Sequence, residues 1–136
     1  MRRGAWLWIS LVVAAASCGG GPLSEKSLQK EAEAIRSLSG EGALLAGGVV
    51  EGRTTDVYVR VHSGYLQKEA GSIQSKLASE SASGTLESRR EKATRLAGRV
   101  AEDLAQLHRA PDDRTLADRL RSQLLRIADA AEQLAT

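Results

Sequence analysis

The sequence predicts an all-α protein that folds as an antiparallel up-down four-helix bundle. Its 136 residues include only two prolines, at positions 22 and 111, and most of the chain is rich in Ala, Leu, Glu, Arg and Gln, which favour helices. Four successive segments carry apolar residues at helical spacing, and short turns separate them. Because no helix can bury its apolar face alone and short turns make consecutive helices neighbours, these segments are expected to pack as a bundle.

The first predicted helix begins after Ser24 and runs to about Val50. Ser24 is a suitable N-cap, and Leu23 and Leu28 occupy the positions of a hydrophobic staple across it. The apolar residues that follow keep to one face at spacings of three and four. Four glycines predict a kinked helix with a loosened end: Gly40, Gly42, Gly47 and Gly48.

The second segment is ambiguous over residues 54–62, which read as helix or strand. Val57, Val59 and Val61 alternate with polar residues, as in a strand. However, a row of apolar residues at i+4 spacing continues to Leu77, and a lone strand would have no partner elsewhere in the chain. The sequence therefore favours a helix here, with the strand as the alternative.

The last two predicted helices have the clearest periodicity. Thr85 is a suitable N-cap for the third helix, whose apolar residues keep to one face as far as Leu107. Pro111 suits the first position of the fourth helix, because proline has no N–H to leave unsatisfied there. The apolar stripe of the fourth helix repeats every three or four residues and extends to Leu134.

The first 18 residues have the organisation of a secretory signal peptide. Arg2 and Arg3 precede an apolar run over residues 5–16, and Cys18 follows as the only cysteine. At ~1.5 Å per helical residue the run spans about 18 Å, short of the ~30 Å hydrocarbon core of a bilayer. A cleaved signal is therefore expected rather than a transmembrane helix.

Ala15, Ala16, Ser17 and Cys18 resemble the lipobox of bacterial lipoproteins, in which an aliphatic residue and two small residues precede an invariant cysteine; Ala15 stands where that class usually has Leu. The resemblance implies a diacylglycerol on the Cys18 thiol, cleavage before Cys18 and acylation of the new amine. The alternative is an ordinary A-x-A cleavage after Ala16, which would release a soluble protein with a free thiol. A lone cysteine cannot form an internal disulfide, and this favours the lipid anchor.

These predictions divide the chain into a cleaved signal peptide (1–17), a lipidated tether (18–23) and a helical bundle domain (24–136). The tether would reach at most about 20 Å from the membrane. The expected location is the cell envelope, lipid-anchored. In a Gram-negative host, Gly19 after the cysteine resembles the sorting pattern for the periplasmic face of the outer membrane rather than the inner membrane.

Signal removal changes the charge balance. It takes away Arg2, Arg3 and both tryptophans, which leaves 17 Lys and Arg against 17 Asp and Glu, with Tyr58 and Tyr65 as the remaining aromatic residues. A chain of zero formal charge with two aromatics has neither the electrostatic attraction nor the stacking surface that nucleic-acid binding uses. We therefore expect no nucleic-acid partner.

Tyr58, His62 and Tyr65 lie at i, i+4 and i+7 and so share one face of a helix. They form a candidate ligand face inside the bundle, with His62 able to bind a ligand or carry a proton near physiological pH. The plainer interpretation is a partly buried aromatic patch whose polar ends reach water.

Lys92, Arg95 and Arg99 project close together from the polar side of the third helix. They form a candidate patch for an anionic partner, such as lipid headgroups, peptidoglycan carboxylates or an acidic protein. The plainer interpretation is a solvated face that nearby carboxylates balance.

The sequence offers no basis for catalysis or for a cofactor. Two histidines without carboxylates beside them do not supply the three or four ligands of a metal site, and the motifs for haem attachment, a nucleophilic serine or a phosphate loop are not evident. The expected function is therefore that of a membrane-anchored envelope lipoprotein, not an enzyme, whose bundle acts as an interaction or scaffold module for another envelope protein. The alternative is a periplasmic small-ligand carrier or sensor with a pocket near Tyr58, His62 and Tyr65.

Overall fold

The computed structural model describes residues 21–136 and confirms the predicted all-α fold, an antiparallel four-helix bundle. The predicted signal peptide and Cys18 lie outside these residues. The helices are α1 (Glu25–Val50), α2 (Asp56–Ser79), α3 (Thr85–Arg109) and α4 (Arg114–Ala135), and short turns join them.

The helices pack as two close pairs. α1 packs mainly along α4, and α2 packs mainly along α3. Smaller contacts join α1 to α2 and to α3, and α3 to α4, whereas α2 and α4 occupy opposite corners. The α1–α2 side and the α3–α4 side are therefore opposite sides of the bundle.

α1 begins as predicted, with Ser24 as its N-cap: the Ser27 N–H donates to the Ser24 hydroxyl at 3.1 Å. It then continues as one helix through all four of its glycines. Gly42 is buried, and a Cβ there would lie 3.0 Å from Leu104 Cδ2 and 3.1 Å from Leu124 Cδ1. This glycine therefore lets α1 approach α3 and α4 closely.

The ambiguous segment is helical. α2 begins at Asp56 with Thr55 as its N-cap, whose hydroxyl accepts a hydrogen bond from the Tyr58 N–H at 3.3 Å. Val57 and Val61, whose alternation resembles a strand, lie on the exposed side of this helix. The described part of the chain contains no strand, only an isolated bridge between its N-terminal residues and the α2–α3 turn.

Two predicted helix starts are displaced. Gly84, with φ of 61°, is the N-cap of α3, so Thr85 is the first helical residue rather than the cap. α4 begins at Arg114, because the Asp113 carboxylate caps it by accepting a hydrogen bond from the backbone N–H three residues on, at 2.9 Å. Pro111 is buried in the preceding turn and is not the first residue of the helix.

The fold begins earlier than the predicted boundary at residue 24. The Leu23 N–H donates to the Ser81 carbonyl at 2.8 Å, and the Ser81 N–H donates to the Gly21 carbonyl at 3.4 Å. Leu23 itself is buried. The chain before α1 is therefore attached to the α2–α3 turn. Only three residue steps separate Cys18 from Gly21, a reach of about 10 Å.

The core is made of Leu, Ala, Val and Ile side chains in two adjoining clusters, one toward the chain start and one toward the α1–α2 and α3–α4 turns. Ser63 of α2 is also fully buried, and its hydroxyl donates to the Val59 carbonyl at 2.6 Å, which removes the cost of burying it. None of the helices in residues 21–136 is both long enough and apolar enough to cross a membrane.

Candidate interaction surfaces

The structure brings together two of the three residues of the predicted ligand face. The rings of Tyr58 and His62 stack at a centroid distance of 5.5 Å and an interplanar angle of 11°. Tyr65 does not join this stack but lines a separate surface depression with Gly71 and Ala101. Both tyrosines are more than half exposed, so this face lies on the outside of the bundle.

The Tyr58–His62 pair forms one wall of a groove between α1 and α2, with a volume of about 360 Å³. Thr54 lies in this groove, and its hydroxyl is buried without a hydrogen-bond partner among the residues described. A Cβ on Gly48 would lie 2.7 Å from Thr54 Cγ2, so this glycine lets the turn pack against α1. The other groove residues are Glu41, Leu44, Leu45 and Arg53.

Large exposed apolar side chains concentrate on α2 and on the groove side of α1. Five of them are between 53% and 78% exposed: Leu44, Val57, Tyr58, Val61 and Tyr65. We call this surface the α1–α2 apolar face. In residues 21–136, the other large hydrophobic residue with comparable exposure is Leu125 of α4, at 48%. A group of exposed apolar side chains of this kind is a common mark of an interaction site.

The predicted cationic patch lies on α3, where Arg95 and Arg99 are exposed and Lys92 is partly buried. No ion pair within 4 Å involves these three side chains in the described part of the chain. Glu91 with Arg95 and Arg99 with Asp103 stand at i,i+4 spacing, but neither pair forms an ion pair at that distance.

The two arginines in the first two turns of α3 have structural partners. Arg89 pairs with Glu25 at the start of α1 and donates to the Leu134 carbonyl at 2.8 Å. Arg90 pairs with Glu87 at 2.6 Å and donates to a carbonyl near the end of α2 at 2.9 Å. These arginines join the helix ends and do not extend the patch.

Two arginines of α4 extend the patch. Arg119 lines a depression with Gln106 and Arg109 of α3, and Arg126 lies two turns further along the same side of α4. Asp103 of α3 is 7% exposed; its burial, with a contribution from Glu102, raises its pKa to about 6, against the opposing influence of Arg99, Arg119 and Arg126. We call the five cations Lys92, Arg95, Arg99, Arg119 and Arg126 the cationic α3–α4 face.

Sequence reasoning missed Arg119, Arg126 and the exposure of Val57 and Val61. The two arginines are seven residues apart, so helical spacing alone places them on one side of α4. Helical spacing alone does not show which helix packs against this side of α4.

Within the described residues, no three His, Cys, Asp or Glu side chains come together as metal ligands. Cys18 lies outside those residues, so its lipidation stays a prediction from the sequence. Comparisons with protein-family models, with curated proteins and with solved structures find no match for this chain.

Proposed function

We propose that the protein is a lipid-anchored bacterial envelope protein whose bundle binds a helix of another envelope protein through the α1–α2 apolar face. The observation that carries this proposal is the concentration of large, exposed apolar side chains, four on α2 and a fifth, Leu44, on the neighbouring α1. The proposal involves no catalytic step and no cofactor.

The spacing of the exposed residues supports a helical partner. Val57, Val61 and Tyr65 follow one another at i, i+4 and i+8 on α2, which is the row that one helix presents to another. Tyr58 and Leu44 flank this row and add apolar surface beside the groove. Tyrosine is well suited to such a contact, because its ring is apolar and its hydroxyl can remain in water.

The proposed anchor would strengthen this contact by local concentration. The folded part begins at Gly21, so the tether from Cys18 reaches only about 10 Å. A partner held in the same membrane then meets the bundle at a high effective concentration, and a modest affinity is sufficient.

Two measurements test the proposed lipid anchor. Mass spectrometry of the protein from its native membrane should find Cys18 at the N-terminus, with acyl groups on its thiol and amine. Labelling of cells with radioactive palmitate should introduce label into the protein. An unmodified chain in the soluble fraction would contradict the anchor.

The partner contact is tested by cross-linking in cells followed by purification. Val57→Ser with Val61→Ser should abolish capture of one defined envelope protein, whereas Leu125→Ser, which changes an exposed apolar residue on α4, should leave it unchanged. Because all three side chains are exposed, folding should be preserved. Equal capture by both variants would contradict the proposed site.

The groove supports a second candidate function, that of a small-ligand carrier. Its volume of about 360 Å³ lies at the lower end of the range for ligand pockets, and it combines an aromatic wall with the unpartnered Thr54 hydroxyl. Native mass spectrometry of the purified protein tests this candidate. A bound molecule that is lost in Tyr58→Ala would favour the carrier.

A further inference from the structure

The charges of α4 are divided between two sides of the helix. Arg119 lines a surface depression with Gln106 and Arg109 of α3, and Arg126 lies two turns further along the same side of α4. Helical spacing places Asp118 and Asp129 between this side and the side that meets α1, where Glu132 pairs with Arg36 of α1 at 3.4 Å. In residues 21–136, neither Arg119 nor Arg126 has an ion pair within 4 Å.

The α3 side of the same surface is also positive. Lys92, Arg95 and Arg99 have no ion pair within 4 Å in residues 21–136. Three carboxyls of α3 stand near these cations: Asp103 is buried, Glu102 pairs with Arg109 at 3.5 Å, and Glu91 is exposed. Although residues 18–136 carry equal numbers of positive and negative side chains, this side of the bundle thus has five cations against two exposed carboxylates.

The position of this face relative to the chain start brings it close to the predicted anchor. The α2–α3 turn, to which Gly21 is attached, lies at the end where α3 begins and α4 finishes. Lys92 is seven residues after the start of α3, and Arg126 is nine residues before the end of α4, so they lie about 10 and about 14 Å along the bundle from that end. Arg99 and Arg119 lie about 21 to 24 Å along it.

We propose that the cationic α3–α4 face lies on anionic lipid headgroups of the bilayer that holds the anchor, so that the α1–α2 apolar face points away from the lipid. The orientation rests on the proposed anchor. It is consistent with the fold because the two faces are on opposite sides of the bundle.

The arrangement of the cations favours a lipid surface over a single anionic molecule. They are spread along two helices over more than one helical turn and are not gathered around one pocket. Anionic lipids can move laterally beneath such a face and pair with each cation in turn, and each Lys or Arg near a charged membrane adds to the binding. A bundle lying on this side also agrees with a tether of only about 10 Å.

The test uses a chain of residues 18–136 with Cys18→Ser, which carries no acyl group. All residues of both core clusters lie between Leu23 and Leu134, so this chain retains the whole bundle, and far-UV circular dichroism checks its helicity. Co-sedimentation should show binding to vesicles of equimolar phosphatidylglycerol and phosphatidylcholine. Added salt should weaken this binding, and vesicles of phosphatidylcholine alone should give none.

A matched pair of double variants locates the contact. Arg119→Gln with Arg126→Gln should weaken binding to the anionic vesicles about 25-fold, at about five-fold for each cation removed. Arg60→Gln with Lys68→Gln removes the same charge from α2 and should change it less than about two-fold. If the first variant is less helical, Lys92→Gln with Arg95→Gln replaces it, because these residues are farther from the buried Asp103.

Equal losses in the two double variants would overturn the proposal, because binding would then follow net charge and not this face. Binding to phosphatidylcholine alone that Val57→Ser with Val61→Ser removes would also overturn it, since the apolar face would then meet the lipid. The result is independent of the anchor: mass spectrometry of Cys18 tests lipidation, and this experiment tests only the cationic face.

Discussion

Lys76 of α2 forms an ion pair with Glu31 of α1, and the Glu31 side chain is only 8% exposed. The hydrogen bond to Glu31 raises the pKa of Lys76 above its usual value. This pair links two helices that share less packing surface than α1 shares with α4. It therefore helps to hold the α1–α2 side of the bundle together near the chain start.

Lys76→Gln should destabilise the bundle by about 2 kcal/mol, because it leaves the buried Glu31 carboxylate without its charged partner. Urea unfolding at neutral pH measures this loss. Lys68→Gln, an exposed position on the same helix, is the control and should have little effect. Since the folded-state pKa of Lys76 is raised, its stabilising effect is present below the unfolded-state pKa and is lost as pH rises through the folded-state value. An equal effect of the two substitutions would contradict the pairing.

Asp103→Asn should stabilise the bundle at alkaline pH. Burial raises the pKa of Asp103 from 3.8 to about 6, so the folded state disfavours the ionised form and the fold loses stability as pH rises through this range. The substitution should add about 2 to 3 kcal/mol at about pH 8 and flatten the dependence of the unfolding free energy on pH. Asp118→Asn, an exposed position on α4, should leave the pH dependence unchanged, and identical profiles for wild type and Asp103→Asn would be the contrary result.

Two glycines of α1 should respond to alanine in opposite directions. Gly42→Ala should destabilise by about 1 kcal/mol, because its Cβ would press on Leu104 and Leu124 at 3.0 and 3.1 Å. Gly40→Ala meets no atom within 4 Å and should stabilise by about 0.5 to 1 kcal/mol through helix propensity. Thermal unfolding of both variants decides the matter: stabilisation by both would mean that α1 does not approach its neighbours as closely as described.

Adjacent leucines of α4 give a similar contrast for the core. Leu124 is fully buried, so Leu124→Ala should cost about 3 kcal/mol in lost contacts and residual cavity. Leu125 is 48% exposed, and Leu125→Ala should cost less than about 1 kcal/mol. The same unfolding measurements compare them. Comparable losses would show that the inward face of α4 is assigned wrongly.

The helices were predictable because their apolar residues repeat at helical spacing, and because Ser24 is a recognisable N-cap for α1. The side of α2 that faces inward was harder to find. Ser63 is buried there, with its hydroxyl bonded to the Val59 carbonyl, whereas Val57 and Val61 are exposed. A sequence reading that counts apolar residues places valines inside and serines outside. Only the neighbouring helices determine the actual orientation.

The candidate surfaces show the same limit. Periodicity was enough to group Lys92, Arg95 and Arg99, because they belong to one helix. Adding Arg119 and Arg126 required knowledge of which side of α4 meets α3, and this depends on packing between distant segments. Tyr65 illustrates the converse, since it shares a helical side with Tyr58 yet lines a different depression.

The pairing of the first described residues with Ser81 also has a mechanical consequence. A pull on the chain before Gly21 is transmitted to two places at once, the start of α1 and the α2–α3 turn, through the hydrogen bonds at 2.8 and 3.4 Å. The start of the fold is therefore fixed at two points. This restricts rotation of the bundle about the preceding chain, and a force on that chain is shared between α1 and the α2–α3 turn.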